Sequence, residues 1–352
     1  MRIAFTYNLR LSDAEEEAEF DSRETVDLVA GAVERLGHRV ERIEVSGPAS
    51  QTAARLEAFG PDLIFNTAEG RRGRFREAFF PALFEELGMP FTGSDAWALA
   101  VTLDKRLTRL LLLQHGVSTP RWQFVEDPQG LTPSALRLPV IVKPNFEGSS
   151  KGITQESVVE DAGRLQSAVS EALWRYPAGV LVEEYIAGRD ITVPFLEAAA
   201  EERAGVLQPT EYVIDERARQ GRRHAIYDYE LKTALDDYVS VRAPARLSRE
   251  EAMRVQSAAA TAFKVLGVRD LGRVDFRLGE DGHFYFLEVN PLPSLQDGAD
   301  IYASAALEGL HVDGVLAAII KSAQRRWNWR SRARSPDAPG ERSGSRWASP
   351  ST

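Results

Sequence analysis

The apolar positions of the first ninety residues follow two patterns, one typical of buried strands and one typical of amphipathic helices. Apolar runs at 2–7 and 61–68 predict buried strands, and the alternating segment 38–45 predicts a third. Between them, apolar residues recur at helical spacing over 22–38 and 50–60. The order strand, helix, strand, helix, strand favours a parallel sheet with helices on both faces.

The chain from about Trp122 onward has a different pattern, with many short strands and few helices. The predicted strands are 121–127, 139–144, 180–186, 190–198, 203–214, 239–245, 271–279 and 283–290, and the helices are 160–176 and 249–267. Because the turn at 280–282 is a hairpin signal, this part is predicted to be α+β with antiparallel pairs. One long helix from Asp95 to His115, ended by Gly116, is predicted before it.

The composition is that of a globular protein and argues against several classes of function. The 352 residues are enough for two or three compact lobes, and 43% of them are hydrophobic. The absence of cysteine excludes disulfides, thiolate metal sites and cysteine nucleophiles. A formal net charge of −9 argues against nucleic-acid binding, and no apolar run approaches the roughly 20 residues of a membrane span. We therefore expect a cytoplasmic protein with no nucleic-acid or membrane partner.

A loop rich in glycine and serine follows the predicted strand that ends near Lys143, in the segment VIVKPNFEGSSKGI. Backbone N–H groups of such a loop and a neighbouring cation can converge on a phosphate. The loop lacks the spacing of a Walker motif, so a lysine that is merely solvated is the alternative interpretation. The local pattern indicates a phosphate site without proving one.

The two strands of the predicted hairpin carry a set of oxygen ligands. Glu288 and Asn290 point to the same face because strand side chains alternate, and pairing brings Asp275 alongside them. Two carboxylates and an amide oxygen suit Mg²⁺, which takes few protein ligands together with phosphate oxygens. Arg273 shares the face of Asp275 and is placed to contact a transferring phosphoryl group. A solvated hairpin edge is the alternative, but the apolar flanks predict burial, and buried carboxylates need a partner.

A third segment, VLVEEYIAGRDI, combines a strand with an acidic turn. The backbone at Tyr185 and Ile186 is predicted to read an adenine through main-chain hydrogen bonds. Glu183, Glu184 and Asp190 then offer carboxylates for ribose hydroxyls. A plain acidic turn is the equally simple alternative.

Taken in order, these segments resemble the ATP-grasp superfamily, and within it the D-alanine–D-alanine ligase branch, up to about residue 320. The stretches that carry the resemblance are PFTGSDAWALAVTLDKRLTRLLLLQHGVSTP, VKPNFEGSSKGI, VEEYIAGRDI, YDYELK, LGRVDF and FLEVNPLPSL. The resemblance implies that Lys105 and Lys143 are the two ATP lysines. It also implies that the loop after Lys143 closes over the phosphates, and that YDYELK is the omega loop, which brings Lys232 near them.

The resemblance implies an ATP-grasp fold of mixed α/β and α+β class. Residues 1–96 form an N-terminal parallel α/β (preATP-grasp) domain, 97–183 a central lid domain, and 184–324 a C-terminal antiparallel sheet domain with the magnesium site. The segment 325–352 is rich in Arg, Ser, Pro and Gly and is predicted to be disordered. The implied partners are small amino-acid or peptide-like substrates, and the implied oligomer is a homodimer.

The activity implied is the phosphorylation of a carboxylate by ATP, followed by attack of an amine on the acyl phosphate. The cofactors are ATP and Mg²⁺, with Mn²⁺ as an alternative to Mg²⁺. The implied catalytic residues are Arg273, Ser149 and Lys232, and the metal ligands are Asp275, Glu288 and Asn290. The implied ATP-binding residues are Lys105, Lys143, Ser150, Glu183, Glu184, Tyr185, Ile186 and Asp190, the last of which stands where the family usually has a glutamate.

The segments that would bind the other substrates depart from the family. Thr233 replaces the tyrosine that follows the omega-loop lysine, and the expected carboxylate-binding serine falls near Ala299. The family's glycine-rich N-terminal start and its histidine–glycine loop are also replaced. The replacements offer Asp21 or Glu24 for the substrate amine, and Glu69, Arg71 and Arg74 as further candidates.

Three functions are compatible with this sequence. The first is an amide-forming ligase for amino-acid-like substrates other than two D-alanines. The second is a D-alanine–D-alanine ligase of cell-wall synthesis with unusual side chains. The third is a nucleotide-binding protein without catalysis, which is disfavoured because the residues assigned to phosphate and metal binding are all present.

Overall fold

The computed structural model describes residues 1–234 and 236–333, and within them the strands form three sheets. The strands are β1 (Arg2–Tyr7), β2 (Arg39–Glu44), β3 (Leu63–Asn66), β4 (Trp122–Val125), β5 (Val140–Pro144), β6 (Val158–Val159), β7 (Val180–Glu184), β8 (Gly188–Leu196), β9 (Thr210–Ile214), β10 (Val239–Arg242), β11 (Leu271–Gly279) and β12 (Phe284–Asn290). The helices are α1 (Arg23–Arg35), α2 (Ala49–Phe59), α3 (Arg76–Glu86), α4 (Ala96–Leu103), α5 (Lys105–Leu113), α6 (Ala162–Arg175), α7 (Glu216–Arg219), α8 (Tyr229–Thr233), α9 (Arg249–Val265), α10 (Asp300–Ala306) and α11 (Val312–Ala333). Along this described part of the chain, no helix combines the length and apolar character that crossing a bilayer requires.

The N-terminal sheet has the order β2-β1-β3, and both pairings are parallel, as the sequence predicts. Ile3 and Phe5 of β1 pack with α1 and α11 on one face. Ala4, on the opposite face, packs with Leu56 of α2 and Phe84 of α3. Successive side chains of this buried strand therefore contribute to two apolar cores, one on each face of the sheet.

The other two sheets are antiparallel, with the orders β4-β7-β5-β6 and β10-β9-β8-β11-β12. The predicted hairpin of β11 and β12 is confirmed, with Asp275 opposite Glu288 and Arg273 opposite Asn290. Helix α6 packs on the four-stranded sheet and α9 on the five-stranded sheet. The functional side chains project from these two sheets toward each other.

The single helix predicted over 95–115 is wrong, because the chain breaks it at Asp104. Asp104 has an extended backbone, and its side chain accepts hydrogen bonds from the Leu107 N–H at 3.1 Å and the Asn145 amide at 2.7 Å. A capping carboxylate of this kind starts a new helix and satisfies its first donors. Lys105 therefore begins α5 instead of lying in mid-helix.

The predicted disorder of the C-terminal segment is wrong for residues 325–333, which continue α11. The Trp327 ring lies 5.4 Å from that of Phe91, and its indole N–H donates to the Phe91 carbonyl at 2.9 Å. Arg326 donates to buried Asp270 at 2.7 Å. These contacts anchor a segment whose composition alone predicts no core. The rest of the predicted tail, 334–352, lies outside the described residues.

Candidate active site

Two adjoining cavities lie between the antiparallel sheets. The first is lined by most of the residues that the resemblance assigns to ATP, namely Lys143, Ser150, Glu183, Glu184, Tyr185, Ile186 and Asp190, together with Asp275. The second reaches the N-terminal domain and is lined by Asp21, Glu69, Lys105 and Asn290, among others. Six residues line both cavities: Ser149, Tyr212, Tyr227, Lys232, Arg273 and Glu288. A ligand in one cavity therefore meets a ligand in the other at Arg273 and Lys232.

Lys143 is held by a buried chain of charges. Its Nζ lies 2.5 Å from one carboxylate oxygen of Glu183 on the neighbouring strand β7. The other oxygen of Glu183 lies 2.6 Å from Arg109, which is fully buried and donates to the Leu287 carbonyl at 2.9 Å. Burial lowers the pKa of Lys143 to about 8, although Glu183 acts in the opposite direction. Arg109 is missed by the sequence analysis, since an arginine in an amphipathic helix carries no signal of its partner.

The other two carboxylates predicted to bind ribose also have cationic partners. Glu184 is 2.9 Å from Arg137, and Asp190 is 2.6 Å from Arg277. Arg277 also donates to the carbonyls of Ile186 at 2.9 Å and Ala225 at 2.5 Å. Arginines of the protein therefore pair with the carboxylates of the acidic turn. Arg277 also connects this turn to Ala225, just before the predicted omega loop.

Of the predicted metal ligands, Asp275 lines the first cavity, Asn290 the second, and Glu288 both. Asp275 accepts from the Thr192 hydroxyl at 2.7 Å and lies 3.3 Å from the Nε of Arg273. Glu288 lies 3.2 Å from the Nζ of Lys105. Lys105, one of the two predicted ATP lysines, lines the second cavity and not the first. It therefore approaches Glu288 from the side of the second cavity.

The donor set has the chemistry that Mg²⁺ requires. Burial and the charge of Glu288 raise the pKa of Asp275 to about 6, against the effect of Arg273. Burial also acts to raise the pKa of Glu288, but Lys105, Lys143 and Arg273 outweigh it and lower the value to about 2. Nowhere in 1–234 and 236–333 do three His, Cys, Asp or Glu side chains form a metal-binding group. The set is therefore two carboxylates and the amide of Asn290, which fits an ion that keeps phosphate and water ligands.

The phosphate loop and the omega loop meet at two serines. Ser149 and Ser150 both have left-handed backbones, with φ of 52° and 56°. Ser149 accepts a hydrogen bond from Lys232 at 2.9 Å, and Ser150 donates to the Tyr227 carbonyl at 2.9 Å. Two consecutive left-handed residues cost about 1–3 kcal/mol each, a strain that surrounding contacts must offset. These contacts place the Ser149 hydroxyl and the Lys232 ammonium side by side at the junction of the cavities.

Glu19 fastens the N-terminal domain to the phosphate loop, and the sequence analysis missed it. Its carboxylate accepts from the Gly148 N–H at 3.0 Å, from Lys151 at 2.8 Å and from Arg76 at 3.0 Å. Burial acts to raise its pKa, but Arg76 and Lys151 lower it to about 2. A Cβ at Gly148 would lie 2.5 Å from this carboxylate, so a side chain there would have to displace it. The acidic run around Glu19 has no regular spacing, which is why no motif indicates this role.

The two carboxylates considered for the substrate amine are placed differently. Asp21 lines the second cavity and accepts from the Thr67 hydroxyl at 2.6 Å. Burial raises the pKa of Asp21 to about 6. Glu24 lies in the first turn of α1, is exposed and lines neither cavity. The structure therefore favours Asp21 over Glu24.

The loop that replaces the histidine–glycine loop contributes carboxylates and no arginine. Arg71 is exposed and donates to the Ser46 carbonyl at 3.1 Å, and Arg74 lies over the Phe146 ring. Neither arginine lines either of these two cavities, so the structure gives no support to Arg71 or Arg74 as a substrate anchor. Glu69, by contrast, lines the second cavity together with Glu77 from the start of α3.

Comparison with known proteins gives one consistent result. Residues 112–321 match the family described as D-ala D-ala ligase C-terminus. The D-alanine–D-alanine ligase of Aquifex aeolicus is 30% identical over 302 residues, which cover 85% of this chain and 94% of that protein. The corresponding ligase of Thermotoga maritima is 34% identical over 297 residues, covering 84% and 90%.

A solved structure extends the similarity to the fold. A D-alanine–D-alanine ligase from Bacillus anthracis, complexed with ATP, superimposes with a TM-score of 0.73 at 22% identity and covers 94% of this chain and 99% of that one. The expected ATP-grasp fold of α/β and α+β parts is thereby confirmed. The matched C-terminal region and the relatives at 30% and 34% identity show the family. The chain belongs to the D-alanine–D-alanine ligase family of the ATP-grasp superfamily.

Proposed function

We propose that this protein is an ATP-dependent carboxylate–amine ligase that joins amino-acid-like substrates other than two D-alanines through an acyl phosphate. The observation that carries the proposal is the junction of the two cavities at Arg273, Lys232 and Ser149. The first cavity would hold ATP and the second the amino-acid substrates. The γ-phosphate and the substrate carboxylate would then meet beside two buried cations.

The residues divide into those that bind and those that stabilise charge. Lys143 and the backbone of the 148–152 loop would contact the phosphates, while Asp275, Glu288 and Asn290 would hold Mg²⁺. When bound, Mg²⁺ would neutralise phosphate charge and favour in-line transfer. Arg273 is partly buried and lies between Asp275 at 3.3 Å and Asp300 at 3.9 Å, so two ion pairs orient its guanidinium before any ligand arrives. Such a fixed cation stabilises developing negative charge without reorganisation.

The proposed reaction has two steps. A substrate carboxylate oxygen attacks the γ-phosphorus of ATP, and ADP leaves with the bonding electron pair. The amine nitrogen of the second substrate then attacks the acyl carbon, loses a proton, and inorganic phosphate departs. Exclusion of water protects the acyl phosphate, and the loop that Glu19, Lys232 and Tyr227 hold over the junction provides this cover.

The preference for other substrates rests on Thr233 and Ala299. The Thr233 hydroxyl donates to the Tyr229 carbonyl of its own helix at 2.8 Å, so it is occupied and too short to bridge to Ser149. Ala299 lines the second cavity and has no hydroxyl for an acceptor carboxylate. A polar site discriminates against a substrate when partners are missing, at about 1–3 kcal/mol for each unpaired group.

We expect the purified protein to synthesise D-alanyl-D-alanine poorly. The test is phosphate release from ATP, with product identification by mass spectrometry, across D- and L-amino acids and short peptides. At least one other pair should exceed two D-alanines by about tenfold or more, since one missing polar contact is worth that factor. ATP binding measured separately would show that a slow reaction reflects the substrate and not a damaged nucleotide site.

The second candidate function is D-alanine–D-alanine ligation itself, which the names of the relatives at 30% and 34% identity favour. It predicts that two D-alanines give the fastest turnover of all pairs in the same panel. That outcome would replace the proposed specificity while leaving the ATP chemistry unchanged.

The affinity for ATP is expected to decrease in alkaline solution. Burial lowers the pKa of both Lys143 and Lys232 to about 8, so both ammonium groups are charged below that pH and lose their charge above it. We expect a constant dissociation constant near neutral pH and an increase of roughly tenfold per pH unit for each uncharged lysine above about pH 8. Equilibrium dialysis of ATP at a series of pH values measures this, and a flat profile would contradict the placement of the lysines at the phosphates.

A further inference from the structure

Two carboxylates in the second cavity have no hydrogen-bond or ion-pair partner among the residues that the structure describes. Glu69 and Glu77 both line this cavity and are only 9% and 7% exposed. Within the described residues, neither carboxylate makes a hydrogen bond or an ion pair, although most other buried acids of the site do. Burying an unpaired carboxylate is costly, so such groups normally have a partner or take up a proton.

The backbone brings residue 69 close to the start of α3, where Glu77 lies. Gly70 has φ of +71°, and a Cβ there would lie 2.3 Å from the Arg76 carbonyl oxygen. Residues 69–70 therefore pack directly on the first turn of α3. Burial and the neighbouring charge of Glu77 raise the pKa of Glu69 well above its usual range. We call Glu69 and Glu77 the carboxylate pair.

The nearest cation, Arg76, acts on the carboxylate pair only at longer range and makes its direct contacts elsewhere. Arg76 directs its guanidinium to Glu19 at 3.0 Å and to the Phe146 carbonyl at 2.8 Å, on the phosphate-loop side. Asp21 adds a third acid to this wall of the cavity, with only the Thr67 hydroxyl as its partner. Among the described residues, the three acids do not form a metal-binding group of His, Cys, Asp or Glu side chains.

We infer that the second cavity takes an amino acid with a cationic side chain, of the lysine or ornithine class, whose side-chain ammonium lies against Glu69 and Glu77. This inference rests on the proposed function and names the substrate class of the same site. An α-ammonium brings one positive charge, for which Asp21 suffices. The carboxylate pair calls for a second cation, and a primary ammonium with three donors can bond both carboxylates at once.

The first measurement is binding, which does not depend on turnover. Calorimetric titration with D- and L-lysine and with D- and L-ornithine is compared with titration by D- and L-norleucine, which have the same chain length as lysine without the charge. We expect at least one basic amino acid to bind and norleucine to bind roughly 10- to 100-fold more weakly, the range for losing a charged hydrogen bond. Equal binding of lysine and norleucine would overturn the inference.

Variants of Glu69 and Glu77 test whether these two residues bind the side-chain ammonium. Glu77→Gln and Glu69→Gln should each weaken binding of the basic amino acid by roughly 10- to 100-fold and leave the affinity for norleucine unchanged. The matched control is Glu86→Gln, the same substitution on an exposed residue of the same helix. Thermal unfolding verifies that each variant folds. Unchanged lysine affinity in folded Glu77→Gln and Glu69→Gln would overturn the inference.

Proton release gives a readout that a purely structural role would not produce. Burial raises the pKa of Glu77 to about 7, with Glu19 adding to it and Arg76, Lys105 and Lys151 acting against it. An ammonium favours the ionised pair, so binding should release protons near neutral pH. Titrations in two buffers of different ionisation enthalpy detect this, and their difference should disappear in Glu77→Gln. A binding enthalpy that is independent of the buffer in the unmodified protein would contradict the contact.

The outcomes separate this inference from the proposed function. If lysine binds through the pair but no amino acid stimulates phosphate release from ATP, the inference stands and the ligase proposal fails. If neutral amino acids are ligated and lysine neither binds nor reacts, the ligase proposal stands and the inference fails.

Discussion

Replacing Glu288 by glutamine should reduce turnover by a factor on the order of 10²–10³, as for the loss of one main electrostatic group in an active site. Glu288 lies opposite Asp275 and 3.2 Å from Lys105, and it lines both cavities. Its neutral amide would remove one of two metal carboxylates and leave Lys105 without its ion pair. Phosphate release in the presence of ATP, Mg²⁺ and an active substrate pair measures the effect.

The fold should survive this change. The Glu288 side chain is 32% exposed and points into the cavity, so it does not belong to the apolar core. Glu280→Gln is the matched control, because Glu280 is exposed at the turn of the same hairpin and should leave turnover unchanged. Near-normal activity of Glu288→Gln at ordinary Mg²⁺ concentration would show that the metal assignment is wrong.

Replacing Arg109 by methionine should destabilise the protein by about 3 kcal/mol, since removal of one partner leaves a buried charge poorly compensated. Arg109 is 0% exposed and lies between Glu183 at 2.6 Å and the Leu287 carbonyl at 2.9 Å. Lys143 remains near Glu183 and partly compensates its charge. The expected loss of stability is therefore at the lower end of the range for breaking such pairs. Urea denaturation followed by circular dichroism measures the change in the free energy of unfolding.

The same change should weaken ATP binding although Arg109 lies outside both cavities. Without Arg109, Glu183 would draw Lys143 more strongly and hold its ammonium away from the phosphates, so Arg109 is a positioning residue. Arg106→Met provides the control, because Arg106 is exposed on the same helix and lies over the Phe124 ring. That contact is worth about 0.5–1 kcal/mol at an exposed site. Equal stability of the two variants would contradict the buried ion-pair argument.

The elements that the sequence predicts well are those whose pattern is local. The hairpin of β11 and β12 needs only two alternating strands and a tight turn, and those features bring Asp275 opposite Glu288. The parallel N-terminal sheet follows from the order of its strands and helices. The break at Asp104 was missed because a single capping aspartate within an apolar stretch does not interrupt the helical period.

The segments that resemble the family's ATP-binding motifs could likewise be recognised from the sequence, because each is a short motif on one strand or loop. The contacts that support them could not. Glu19 reaches Gly148 across 129 positions, and Arg109 reaches the Leu287 carbonyl across 178. Such contacts depend on how the lobes meet, and no local spacing encodes them.

By itself, the sequence determined the parallel N-terminal sheet, the hairpin that pairs Asp275 with Glu288 and the membership of an ATP-grasp family, since periodicity and motifs are properties of neighbouring residues. Only the tertiary structure decided that Asp21 and not Glu24 lines the second cavity, that Arg71 and Arg74 line neither cavity, and that Glu69 and Glu77 line the second one together. The cavity that a loop residue reaches is set by how the chain packs in three dimensions, here by the close approach of Gly70 to Arg76. Substrate choice in this protein therefore rests on the part of the site that the sequence could not resolve.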